Sequence, residues 1–242
     1  MQVVAHRGAP DEALENSPDA FAKAIEAGAQ RIELDVQLSR DLVPIVLHDS
    51  LLGRTTTLRG ELRKTLFASL QRGRLKNGQP IPTLDQTYRQ LLNEIELNVE
   101  LKSGEYQLVD QVLKLSPAKS QRSHQIIFSS FHISILAYMR RRAPSETIAL
   151  LVEKYDKFEE LQATMTQLAC TIIHPDYCLI DSSFMTLAKK NNWQVVPYIS
   201  IKKEIDCEKI WTHLVELQVD GFCTNYPRAF KLWLDDKGIP TK

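Results

Sequence analysis

The chain is poor in cysteine, and the few it has are not arranged for chemistry. Cys170, Cys178, Cys207 and Cys223 form no C-x-x-C pair. That excludes the usual zinc and dithiol-redox signatures and leaves free thiols as the expectation. No apolar run approaches the roughly 18 residues of a membrane span, so no membrane insertion is expected. An excess of one charge is missing too: 30 basic residues face 30 acidic ones. A net charge near zero gives no electrostatic footprint for nucleic acid. The first strand is followed by His6-Arg7-Gly8 rather than G-x-G-x-x-G, which argues against a dinucleotide-binding fold. Ser129 has no G-x-S-x-G around it, which excludes that class of serine hydrolase. There is no repeat of fixed period, no low-complexity tract and no linker. Met1-Gln2 runs straight into the apolar Val3-Val4-Ala5, which leaves no room for a signal peptide, so a cytoplasmic protein is expected.

What is present is an ordinary globular composition, 43% hydrophobic and 25% charged over 242 residues. Short β-branched runs alternate with amphipathic stretches. Strands are predicted at 3–6, 31–36, 95–101, 125–129, 147–152, 171–174, 194–199 and 221–224. Helices are predicted at 19–28, 106–115, 132–142, 157–168, 183–192, 207–217 and 228–234. In the first helix Phe21, Ala24, Ile25 and Gly28 fall on one face, and Ser17-Pro18 supplies an N-cap with a first-turn proline. Eight strands with intervening helices match a TIM (β/α)8 barrel, which typically needs about 250 residues. A doubly wound open sheet is the alternative. A single domain over residues 1–242 is expected.

A ninth strand, 45–48, lies too close to the second for a helix to intervene. With a turn at Ser39–Leu42, it would fold back as a hairpin and bring His48 opposite Asp35. Residues 50–83 are irregular, with Gly60, Gly73, Gly78, Pro80 and Pro82. They read as a small insertion over the top of the barrel.

The chemistry-bearing residues lie at strand ends. In Arg31–Val36 the period-2 alternation places Glu33 and Asp35 on one face and Ile32, Leu34 and Val36 on the other. The run Asn98-Val99-Glu100-Leu101-Lys102 repeats the pattern, with Asn98, Glu100 and Lys102 on the polar face and Val99 and Leu101 on the other. Three carboxylates converging in a partly dry site would repel one another and raise their pKa values. A hard divalent cation, Mg2+ or Ca2+, would remove that cost. His6 and Arg7 end the first strand, and in a barrel that end faces the active site. His6 and His48 are candidates for general acid and base, since imidazole titrates near neutral pH. Arg7 and Lys102 are cations suited to a phosphate, one a planar fork and the other a point charge. His124, His174 and His213 read as structural, and His132 could line the site. Arg140-Arg141-Arg142 reads as a solvated helix end, and Trp193, Trp211 and Trp233 as packing on the outside of the barrel.

Taken in order, these residues resemble the glycerophosphodiester phosphodiesterase family, bacterial cytoplasmic type. The resemblance rests on Val4–Gly8, Glu15-Asn16-Ser17, Ile32–Val36, Pro44–Asp49, Arg54-Thr55-Thr56, Ile81–Leu84, Glu100–Lys102, Ser129-Ser130-Phe131 and Asp220–Asn225. It implies a TIM barrel that hydrolyses small-molecule glycerophosphodiesters to sn-glycerol 3-phosphate and an alcohol. It further implies one divalent cation on Glu33, Asp35 and Glu100, an acid/base pair at His6 and His48, and a phosphate held by Arg7 and Lys102. The pocket face would include Phe131. The attacker would be either a glycerol hydroxyl, through a cyclic phosphate, or water. The chain departs from the family at Tyr198-Ile199-Ser200-Ile201, where an aromatic-Thr-Val-Asn run is common, and at Thr224-Asn225 in place of Thr-Asp. Both bear on substrate preference. The competing readings are a phospholipase D-like or C-like activity on lysolipids, and a barrel that binds glycerol phosphate without turning it over.

Overall fold

The computed structural model describes residues 1–117, 125–199 and 207–241. From the N-terminus, β1 (Gln2–His6) leads through α1 (Pro18–Glu26) to β2 (Arg31–Leu38). Next come β3 (Pro44–Val46), the short pair β4 (Leu51–Leu52) and β5 (Gly60–Glu61), and α2 (Phe67–Leu70). The alternation then resumes with α3 (Leu84–Leu91), β6 (Glu96–Leu101), α4 (Tyr106–Leu115), β7 (Ile126–Ser130) and α5 (Ile133–Arg142). It continues with β8 (Thr147–Val152), α6 (Phe158–Gln167), β9 (Ile172–Pro175), α7 (Ser182–Lys190) and β10 (Gln194–Val195). The last three elements are α8 (Cys207–Glu216), β11 (Gly221–Thr224) and α9 (Pro227–Asp236).

The parallel strands hydrogen-bond in the order β10-β9-β8-β7-β6-β2-β1-β11. The ends meet where Tyr198 bridges to Cys223 and the Cys223 N–H donates to the Pro197 carbonyl at 2.8 Å. Eight parallel strands thus form a nearly closed ring with helices between them, a TIM barrel. The predicted seventh strand, 194–199, is shorter than expected. Its ladder stops at Val195, beyond which the Val196 and Tyr198 N–H groups still donate to the Ile173 and Pro175 carbonyls and Tyr198 makes only isolated bridges.

Alternation sorts each strand's side chains. Ile32, Leu34, Val36, Val99, Leu101, Phe128 and Phe222 point outward into the main core under the helices. Inside the barrel, small apolar groups form below the mouth: Val4, Val196 and Cys223 in one, Ile127, Ala149 and Ile172 in the other. The polar faces of β2 and β6 run side by side above and below this layer, with Arg31 beside Glu96, Glu33 beside Asn98, and Asp35 beside Glu100. Helix α1 starts where its sequence says it should: the Ser17 hydroxyl accepts from the Ala20 N–H, and Pro18 occupies the first turn.

Helix α3 has no counterpart among the predicted helices. Thr83 and Gln86 form a reciprocal capping box at its start, and Leu84, Thr87, Tyr88 and Leu91 are buried. The hairpin forms, with its register one residue from the expected one. Val36 pairs with Val46 and Gln37 with Ile45, and the Leu47 N–H donates to the Asp35 carbonyl. Leu47 rather than His48 therefore lies opposite Asp35. The turn sets this: Ser39 and Val43 exchange hydrogen bonds, and Leu42 closes the loop at φ 64°. The segment that follows has a small apolar core of its own, including Ile45, Leu47, Leu52, Leu62 and Leu70. Arg63 ties it to the barrel mouth through Glu105 at 2.9 Å and the Ser39 carbonyl at 3.0 Å. Among the described residues no helix is long and apolar enough to cross a membrane. The predicted histidine at 124 lies outside the described residues, as do Ser200 and Ile201 of the departing seventh-strand motif.

Candidate active site

At the carboxyl ends of the strands, Glu33 and Asp35 of β2 and Glu100 of β6 meet. One carboxylate oxygen from each lies within 4.8 Å of the others. Asp35 is fully buried, and its carboxylate is held by the Asn16 amide at 2.7 Å, Arg7 Nε at 3.2 Å and Lys102 Nζ at 3.4 Å. Lys102 also reaches Glu100 at 2.8 Å, and the Arg7 N–H donates to Glu33 at 3.0 Å. The chain bends sharply to make that last contact. Arg7 sits at φ 55° and Gly8 at φ 90°, and a Cβ on Gly8 would lie 2.6 Å from the Ala20 backbone.

The electrostatics of the three acids differ. Burial acts against the charge of Asp35, but Arg7 and Lys102 outweigh it and hold this carboxyl at about 2. Burial, then the repulsion of Asp35 and Glu100, pushes Glu33 well above its ordinary range. Burial and Asp35 push Glu100 up to about 7. Glu33 Oε1 and Asp35 Oδ1 are buried and accept no hydrogen bond, Asp35 Oδ1 having only the longer Lys102 ion pair. Two local cations therefore do not balance three acids, and oxygen atoms remain without donors. An oxygen-rich, electron-rich pocket of this kind fits a hard divalent cation.

A histidine stands on either side. His6 ends β1. Its Nδ1 lies 2.6 Å from Asn225 Oδ1 and its Nε2 3.9 Å from Glu33. Burial and the neighbouring Arg7 lower its pKa to about 4. His48 follows β3. Its Nδ1–H is 2.7 Å from Asp49 Oδ1, and its carbonyl accepts from the Gln37 amide at 2.7 Å. Behind both runs a chain of ion pairs. Arg54 forks onto Asp49 and onto Glu15, at 2.7 and 2.6 Å for the latter, and Glu15 also takes Arg7 at 2.9 Å. The segment after β3 is thereby clamped to the β1 loop.

A cavity of about 320 Å3 opens between these groups. His6, Arg7, Glu33, His48, Glu100, Lys102 and Phe131 line it, and Asp35 lies behind them. All eight residues singled out in the sequence therefore come to one place. His132 does not join them: it is exposed at the start of α5, outside the cavity wall. The opposite wall is mostly apolar and aromatic, with Phe131, Leu151, Tyr198 and Ile199, and carries one carboxylate, Glu153. The Phe131 and Tyr198 rings meet edge to face at 5.9 Å. Asn98, expected on the polar face of β6 though given no role, and His174, which reads as structural in the sequence, also line the cavity. Asn98 shares that face with Glu100, as its alternation in the sequence implies. For His174 the polar-in, apolar-out alternation of β9 is too short to read.

Barrel, acid cluster and flanking histidines together define a hydrolytic enzyme of the phosphodiesterase class. The profile of the Glycerophosphoryl diester phosphodiesterase family matches residues 6–229, and the chain belongs to that family. It is 31% identical to a glycerophosphodiester phosphodiesterase of Caldanaerobacter subterraneus subsp. tengcongensis, over 94% of this chain and 95% of that protein. It is 26% identical to one of Bacillus altitudinis, over 96% and 97%. Among solved structures, an Oleispira antarctica phosphodiesterase in complex with the product sn-glycerol-3-phosphate superposes with a TM-score of 0.86 at 25% identity, covering 97% of each chain.

Proposed function

We propose that the protein hydrolyses glycerophosphodiesters to sn-glycerol 3-phosphate and an alcohol, with one divalent cation, Mg2+ or Ca2+, held by Glu33, Asp35 and Glu100. The observation that carries this reading is the three clustered carboxylates flanked by two histidines around one cavity. The product-bound relative from Oleispira antarctica supports the substrate class. When bound, the cation would supply Lewis acidity and charge neutralisation to the phosphoryl group.

The chain's own residues do the rest. Arg7 and Lys102 stand over the acid cluster and meet the phosphoryl charge as it rearranges. His6 Nδ1 is anchored to Asn225 and His48 Nδ1 to Asp49, so each ring keeps its Nε2 for the reaction. One imidazole takes the proton of the attacking oxygen, and the other gives a proton to the departing alcohol. Phe131 and Tyr198 offer the leaving group a dry face. The test is a coupled assay for glycerol 3-phosphate, run with glycerophosphocholine and glycerophosphoethanolamine in Mg2+ or Ca2+. Product is expected, and excess EDTA abolishes it. Equal turnover with and without EDTA would remove the metal from the reading, and no product from any diester would overturn it.

A further inference from the structure

The cavity has a second polar element, on the wall that the acid cluster does not occupy. His174 lies near the end of β9, in register with Leu151. In the ring of parallel strands β9 stands four places from β2, so His174 faces Glu33 and Asp35 across the barrel. It is 2% exposed and lines the cavity. Its Nδ1 is 2.8 Å from the Val196 carbonyl. A carbonyl only accepts, so Nδ1 carries the hydrogen and the lone pair of the neutral ring is on Nε2. Burial keeps the ring neutral, with its pKa lowered to about 4.

That Nε2 has no partner. Buried polar atoms are rarely left so, and each exception asks for an explanation. The cavity also offers Leu151, Ile199 and Tyr198, the Glu153 carboxylate at the end of β8, and one further unpaired acceptor, Asn98 Oδ1. The buried Arg31, whose Nη1 is likewise unpaired, acts on the ring through its charge and disfavours a second proton on it. The site's cations, Arg7 and Lys102, are engaged with the carboxylates on the far wall. An atom that can only accept, fixed by its own second nitrogen and kept neutral by burial and by the Arg31 charge, is complementary to a hydrogen-bond donor that enters the cavity. In a diester of this class the neutral donors are hydroxyl groups.

We infer that His174 is a substrate-binding residue whose Nε2 accepts a hydrogen bond from a hydroxyl of the bound diester. The inference rests on the phosphodiesterase reading above and adds to it a selectivity device. The hydroxyl belongs to the glycerol unit or to the leaving alcohol, and the two sources can be separated. A site built to pair with a hydroxyl discriminates strongly against the analogue that lacks it, because the protein group is then left unpaired.

The experiment crosses two variants with two substrate pairs. Asparagine at this position places its amide N–H where Nδ1 was, so His174→Asn keeps the bond to Val196 and loses the acceptor. Glutamine reaches the Nε2 position, so His174→Gln restores an acceptor to the cavity. The first pair is glycerophosphocholine against the phosphocholine diesters of the two propanediols, which each lack one glycerol hydroxyl. The second is glycerophosphoglycerol against glycerophosphopropanol. In the wild type one pair is expected to show a preference in kcat/KM of roughly tenfold or more for the hydroxylated member. His174→Asn erases that preference by lowering kcat/KM far more on the hydroxylated member than on the deoxy one, and His174→Gln recovers part of it. The pair that responds identifies the source. Three results overturn the inference: no hydroxyl preference in the wild type, a preference that His174→Asn leaves intact, or an equal loss on hydroxylated and deoxy substrates. The first needs no variant, so a misfolded mutant does not block the test. If the wild type releases product from none of these diesters, the phosphodiesterase reading itself fails, which is a different outcome from any of the three.

Discussion

His6 and His48 are held by different means for the same kind of work. His6 is largely enclosed and anchored to Asn225, and desolvation with the Arg7 charge keeps its ring neutral. His48 is held by Asp49, itself fixed by Arg54. Replacing either with alanine removes one proton-transfer group and few apolar contacts. His6→Ala and His48→Ala are each expected to lower kcat by roughly 10²–10⁴-fold, with an unchanged far-ultraviolet circular dichroism spectrum. Near-wild-type turnover in a folded variant would assign that histidine a structural part only. The placement of these residues was legible because strand alternation is a strong local rule. Glu33 and Asp35, or Glu100 and Lys102, can share a face only by pointing the same way. What could not be read was tertiary. Glu15 and Arg54 are 39 positions apart, and their pairing depends on how the segment after β3 folds over the mouth. His174 was unreadable for a related reason: a histidine in a short apolar run looks structural until the cavity beside it is seen.

At the scale of elements, the misjudged places are those where turn chemistry or a cap outweighs hydrophobic periodicity. The hairpin at β2 and β3 was expected from spacing alone. The Ser39 hydrogen bonds and the left-handed Leu42 moved its register by one residue. The shift leaves Gln37 free to hold the carbonyls of Leu47 and His48. Helix α3 escaped because its apolar positions, Leu84, Tyr88 and Leu91, follow a polar stretch rich in glycine and proline. The decisive signal was Thr83 and Gln86, three positions apart, whose side chains cap each other's backbone N–H groups. Helix α3 joins the segment after β3 to β6, which carries Glu100. Thr83→Ala is therefore expected to destabilise the protein by about 1 kcal/mol, read as a lower urea midpoint at an unchanged slope. An unchanged midpoint would mean that packing of the buried face alone sets where the helix begins.

For the whole molecule the same burial that shapes the cavity sets how stability depends on acidity. The barrel encloses His174 among apolar residues, and its ring titrates at about 4 when folded against the ordinary 6.5. The sign follows from which state binds the proton. Below pH 6.5 the unfolded chain takes up a proton that the folded protein refuses, so stability falls as the pH drops. The loss proceeds at up to about 1.4 kcal/mol per pH unit and ends near pH 4, where the folded ring also protonates. Above pH 6.5 both states hold the ring neutral and the contribution is constant. Glu33 and Glu100 are shifted upward and act in the opposite sense over part of this range. His6, lowered to about 4 as well, acts in the same sense as His174, so the raw stability curve of the wild type mixes all of these groups. Subtracting the curve of His174→Asn isolates His174, since the acids and His6 are common to both proteins. Denaturant unfolding from pH 4 to 8 in EDTA should give a wild-type-minus-variant difference that is flat above about 6.5. Below that it should move against the wild type by about 3 kcal/mol by pH 4. A difference that stays level across the range would mean that the ring takes up its proton as readily folded as unfolded. The imidazole would then be open to water, and the dry wall opposite the acid cluster would not exist as described.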